Sequence, residues 1–109
     1  MAQSQLVKGV LPTLVLAILA DGDTYGYDVV RRLRSAGLKS ISDASVYGTL
    51  EKLFEEGLIS EYRVAPSAGP SRRYFSLSAV GWTELKGGAE EWREFESLVN
   101  SILAEAPEL

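Results

Sequence analysis

Residues Ser40–Leu77 read SISDASVYGTLEKLFEEGLISEYRVAPSAGPSRRYFSL, and the fold turns on how this stretch is parsed. Val46, Leu50, Leu53 and Phe54 recur at helical spacing and predict a third helix running to about Glu56, which Gly57 then ends. Two start signals are open: Ser42 as an N-cap, or Ser40 with Asp43 as a capping box. Ile59–Val64 and Arg72–Leu77 are rich in β-formers, and the Ala-Pro-Ser-Ala-Gly-Pro-Ser between them suits a long flexible hairpin tip. A helix feeding directly into a long-tipped hairpin is the second half of a winged helix.

Upstream, Leu6, Val7, Val10, Leu11, Leu14, Val15, Ile18 and Leu19 mark a first helix, in which Pro12 is expected to fall within the first turn. This helix is apolar nearly all round, so it needs neighbours on more than one side. Asp21-Gly22-Asp23-Thr24 reads as a helix stop followed by an N-cap, opening a second helix through Tyr25, Tyr27, Val29, Val30 and Leu33 that ends at Ala36-Gly37. Ser78 caps a last helix. The order helix, helix, helix, hairpin, helix predicts a mainly α fold with an α+β wing: a winged helix-turn-helix over residues 1–80 and a C-terminal dimerisation helix over 81–109, in one compact unit.

The chain has 109 residues, with no cysteine and no histidine. Thiol nucleophiles, imidazole bases and the usual transition-metal ligands are therefore missing. No spacing of carboxylates suggests an acid/base pair, so neither catalytic residues, a metal site nor a cofactor is expected. The apolar run Val10–Ala20 is too short to span a bilayer and is closed by Asp21 and Asp23, which points away from a membrane protein. Net charge is −4, but unevenly placed: residues 1–80 hold nine Lys/Arg against eight Asp/Glu, and residues 81–109 two against seven. A partner of negative charge must then be met by a few positioned cations.

On the third helix, Ser45, Gly48, Thr49 and Lys52 lie opposite the apolar stripe. Small neutral groups with one cation let a helix approach the floor of a DNA major groove. The same residues also suit a plain solvated face. Ser71, Arg72 and Arg73 at the wing place guanidiniums beside a flexible loop, where they can hold phosphates or enter a minor groove; the alternative is a charged edge strand guarded against aggregation. Double-stranded DNA is the expected partner, with a winged-helix protein-interaction module as the rival reading.

Trp92, Phe95, Val99, Ile102 and Leu103 form a stripe on the last helix that little of its own domain can cover. A two-fold partner offering the same surface buries it most simply, and Leu6, Val10 and Leu14 of the first helix are expected to join that interface. Burying the five stripe residues contributes on the order of 10 kcal/mol per subunit before ordering costs.

Nearly end to end, the chain resembles the PadR-like transcriptional regulators, in the short form with one C-terminal helix. The resemblance is carried by Lys8-Gly9-Val10-Leu11, Leu16–Gly22, Tyr25-Gly26-Tyr27-Asp28, Ser45-Val46-Tyr47 with Leu50 and Leu53, Glu56-Gly57-Leu58-Ile59, and Gly69–Ser78. Gly48 stands where many members have proline and is expected to loosen the third helix, Pro12 stands where many have an acidic residue, and Gly87-Gly88 is expected to bend the last helix. The resemblance implies a homodimeric bacterial or archaeal regulator, often a repressor, acting on near-palindromic operators and released by a small molecule or other signal; a cytoplasmic location is the expectation that the absence of cysteine fits. It also implies that Tyr25, Tyr27 and Tyr47 lie near the DNA backbone or support the reading helix, although each tyrosine equally suits the core. Some members stack planar drug-like compounds on an aromatic residue at the dimer groove; Trp92 holds a similar position, with Glu96 nearby to attract a cation. A planar aromatic effector is the expectation on that basis, and ordinary interface packing of Trp92 is the alternative.

Overall fold

The computed structural model describes residues 3–109. Its elements run α1 (Gln3–Ala20), β1 (Thr24–Tyr25), α2 (Gly26–Ser35), α3 (Asp43–Glu55), β2 (Ile59–Val64), β3 (Arg72–Leu77) and α4 (Ala79–Ala104). The hairpin strands fall where β-propensity put them, paired antiparallel from Ile59↔Leu77 to Val64↔Arg72.

Two local expectations are corrected. Pro12 lies well inside α1, not in its first turn, because the helix already runs from Gln3. Its missing N–H leaves the carbonyl one turn back without its helical partner, and packing on the core outweighs that loss. Thr24 is not the cap of α2. Thr24 and Tyr25 instead form a short third strand on the far side of β3, giving the sheet order β1-β3-β2, and Tyr25 occupies the N-cap position without a side-chain cap. Thr24 is buried, and its hydroxyl donates to Asp28 Oδ2 at 2.8 Å, so it ties the strand to the first turn of α2. Of the two start signals for α3, Ser42 is the cap: its Oγ accepts from Ser45 N at 3.1 Å.

Val15, Leu16, Val29, Val30, Val46 and Leu50 are the most deeply buried side chains. They bring one face each of α1, α2 and α3 together, and Phe75 closes the core from the sheet. This core fixes α3 with its other face outward. Gly57, at φ +76°, turns the chain from α3 into the wing, a left-handed conformation that favours glycine.

α4 starts on Ser78, whose Oγ accepts from Gly81 N at 3.0 Å, and continues unbroken through Gly87-Gly88. Gly88 has a packing reason: a Cβ there would lie 2.4 Å from Thr13 Oγ1, so the glycine lets α1 and α4 meet closely. Beyond that crossing α4 stays largely uncovered, with the first turns of α1 and Leu38 bordering it across an open groove. Trp92, Phe95 and Ile102 stay 45%, 56% and 59% exposed, with Leu98 and Leu103 exposed beside them. Leu6 is exposed and Val10 and Leu14 half-buried on the adjoining side of α1, so that helix has one face in the core and a second still open. None of the described helices is long and apolar enough to cross a membrane.

Candidate nucleic-acid interface

Ser45, Gly48 and Lys52 are exposed on α3, and Thr49 is half-buried. Nothing approaches within 4 Å of where a Gly48 Cβ would sit, so the middle of this face is open space. Thr49 Oγ1 donates back to Ser45 O at 2.8 Å and Ser42 Oγ to Ser45 Oγ at 2.9 Å, leaving the hydroxyls locally anchored and outward. Asp43, in the first turn of α3, is held by Arg34 at 2.8 Å. The same guanidinium donates to Ile41 O at 2.9 Å, clamping the turn between α2 and α3 and masking an anion that would repel phosphate.

Five of the eight acids in residues 1–80 are paired in this way. Asp21, Asp28, Asp43, Glu51 and Glu61 each face an arginine, whereas Lys8, Lys39, Lys52, Arg63 and Arg72 form no ion pair among the described residues. Local neutralisation of acids thus leaves a set of unpaired cations on a chain of net negative charge. Lys8 went unnoticed in the sequence as a binding residue. It lines a cleft of about 360 Å³ together with Ser42, Ser45 and Thr49, and only the packing of α1 beside the turn puts it there.

Arg72 and Arg73 part company because side chains alternate along a strand. Arg72 projects to the outer face of the wing, in the row with Tyr74 and, across the pair, Tyr62. Its Cζ sits 4.5 Å from the centre of the Tyr25 ring, which itself stacks on Tyr74 at 5.5 Å. Tyr62 extends the stack and donates its hydroxyl to Asp23 Oδ2 at 2.8 Å, a bond to a carboxylate that pushes the phenol above its ordinary pKa. Arg73 projects inward. It forms hydrogen-bonded ion pairs with Glu51 of α3 and Glu61 of β2, and its Cζ lies 4.7 Å and 5.4 Å from the Phe75 and Phe54 rings. The bond from Arg73 holds the Glu51 carboxyl below its usual range, and Arg73 is in turn raised. The joint expectation for the two arginines therefore divides: one guanidinium is open and the other already engaged by carboxylates.

Tyr47 is 42% exposed and rests on Gly26, where a Cβ would come within 2.2 Å of its ring. Tyr25, Tyr47, Arg72 and Phe75 line a cleft of about 410 Å³ between α3 and the wing. Ser71 is exposed at the start of the returning strand, and Tyr27 is exposed nearby. Away from this surface, Leu6, Val10, Trp92, Phe95, Glu96 and Val99 border a groove of about 530 Å³ between α1 and α4, which brings the two residues named for an effector to one mouth.

Residues 15–87 match the model of the transcriptional regulator PadR-like family. Among solved structures, a PadR-like transcriptional regulator from Bacillus cereus is 30% identical with a TM-score of 0.84, the alignment covering 94% of this chain and 99% of that one. A Streptococcus transcriptional regulator is 32% identical with a TM-score of 0.81, covering 94% and 98%. An uncharacterized protein of Lysinibacillus sphaericus is 24% identical over 105 residues, 94% of this chain and 96% of its own.

Proposed function

The chain belongs to the PadR-like family of transcriptional regulators, DNA-binding proteins and not enzymes, and from that premise we propose a homodimeric, ligand-responsive repressor acting on a near-palindromic operator. The observation that carries the reading is the outward face of α3, where Ser45, Gly48 and Lys52 are exposed, Thr49 is half-buried beside them and the neighbouring Asp43 is neutralised. In this account these four residues enter the major groove. Lys8, Tyr25, Tyr47 and Ser71 flank them along the backbone, and Arg72 takes a phosphate or the minor groove. Two subunits pair through the stripe from Trp92 to Leu103 on α4 and through Leu6, Val10 and Leu14 on α1. The reading helices of the pair then sit about one helical turn apart, roughly 34 Å.

Binding to random-sequence duplex DNA is expected to weaken steeply with salt, and Arg72→Ala to reduce the slope of log K against log salt by about 0.9 per subunit, about 1.8 for a dimer that loses two phosphate contacts. An unchanged slope removes Arg72 from the interface, and a flat wild-type slope leaves a protein-interaction module as the better reading.

The α1–α4 groove supplies the effector site in this proposal. Its apolar walls, the Trp92 ring and the Glu96 carboxylate suit a flat, cationic aromatic compound. With Trp82→Phe to leave Trp92 as the only indole, such dyes are expected to quench the remaining emission; no change across a panel of them counts against the site.

A further inference from the structure

At its base the wing is held by Gly57 and by the pairing of β1 with β3 at Phe75 and Tyr74; beyond Tyr74 the β2–β3 pair alone carries it outward, where a hairpin can bend. One polar tie to α3 crosses that hinge among the described side-chain hydrogen bonds: Arg73 on β3 to Glu51 on α3. The same guanidinium is braced within the wing by Glu61, and its planar fork lies against Phe54 of α3 and Phe75 of the sheet. The Arg73 side chain is 29% exposed, against 48% for Glu51, so the tie is shielded more from one side than the other. An arginine with two carboxylates and two rings around it has Nε and Nη1 engaged before any DNA arrives.

We infer that Arg73 is a positioning residue that locks the angle between wing and reading helix through Glu51, and so sets where Arg72 meets the DNA backbone. The inference rests on the DNA-binding reading and adds a division of labour to it: adjacent arginines, one aimed outward at nucleic acid and one inward at the hinge. Glu51 then has a use that its charge would not suggest. An acid beside Lys52 on the DNA-facing helix opposes phosphate, and it is tolerated because it anchors the wing.

Glu61→Gln is a matched control for Glu51→Gln. Each variant removes one negative charge and turns one ion pair with Arg73 into a weaker neutral hydrogen bond, but only Glu51→Gln weakens the link across the hinge. On a random-sequence duplex of about three helical turns, charge removal alone tightens binding in both. Loss of positioning reverses the sign for one: Glu51→Gln and Arg73→Met are expected to weaken binding roughly threefold or more, and Glu61→Gln to leave it equal or tighter. The chain lacks cysteine, so spin labels at Ala44→Cys and Val64→Cys report the α3–wing distance directly, with labelled chains diluted into unlabelled ones to isolate the pair within a subunit. The distribution is expected to be narrow in the wild type and with Glu61→Gln, and to broaden with Glu51→Gln and with Arg73→Met, which keeps the apolar stem. Equal tightening by both glutamine variants, or an unbroadened distribution, overturns the inference. A wild type that fails to bind duplex DNA would sink the proposed function instead, and the label distances alone would then decide the coupling.

Discussion

Phe95→Glu combined with Ile102→Glu is expected to yield a folded monomer whose affinity for DNA is lower by on the order of 10³-fold. The fold should survive because both side chains are more than half exposed within the subunit and lie beyond the point where Gly88 packs on Thr13. The dimer should not, because carboxylates placed on a two-fold seam face their own copies, and burying them unpaired costs several kcal/mol. The loss in DNA affinity follows from linkage: two half-sites bound by one rigid pair gain an effective concentration that separate subunits lack, worth about 10² to 10⁴ in affinity. Sedimentation velocity and far-ultraviolet circular dichroism on one sample separate the outcomes. A variant that stays dimeric with unchanged DNA binding contradicts the α4 interface.

Gly81→Ala is expected to lower stability by about 2 kcal/mol or more, although alanine is the better helix former by about 1 kcal/mol. The position is buried in the first turn of α4, and a Cβ there would lie 2.0 Å from Leu58 O and 2.8 Å from Leu77 Cδ1. Leu58 O is backbone, and it accepts from Ser78 N at 3.1 Å and lies 2.9 Å from the Ser78 hydroxyl. Making room therefore separates the start of α4 from the base of the wing. Overpacking of this kind costs about 1 to 3 kcal/mol and the weakened buried hydrogen bonds about 1 more, which outweighs the propensity gain. Gly87→Ala supplies the contrast: nothing lies within 4 Å of its Cβ position, so the same change on the same helix should be neutral or stabilising. Thermal melts at matched protein concentration are expected to fall by roughly 10 °C for Gly81→Ala and to hold or rise for Gly87→Ala. Equal behaviour of the two glycines would show that the close approach to Leu58 does not matter.

The fold was legible wherever one period governed a segment. Val46, Leu50 and Leu53 announced the buried side of α3, and the residues between them its open side, because a helix on a core must sort its faces. The limits of β2 and β3 followed from a β-rich run on either side of a Pro/Gly/Ser tip. What failed was short or nonlocal. Two residues are too few for a period, so Thr24 looked like a cap when it is a strand whose partner, Phe75, lies far along the chain. Pro12 was placed by its local cost, while its position in α1 is set by the whole helix packing on the core.

At the site, the cations on the open faces were visible as a pattern, but their availability was not. Strand alternation sends Arg72 and Arg73 to opposite sides, an argument already contained in the sequence once β3 is drawn; the engagement of Arg73 by Glu51 needed the fold. Lys8 reaches α3 only through the packing of α1, and the pairing of five acids with arginines cannot be counted from composition. Net charge therefore understated what this surface offers a polyanion.

Selection of duplexes from a random-sequence library by the wild-type protein, read by sequencing, tests most directly whether paired subunits present two α3 helices to DNA. The account predicts enrichment of a near-palindromic motif whose half-sites are centred about 10 base pairs apart, one helical turn. Enrichment of a single unpaired half-site, or none above background, would contradict it.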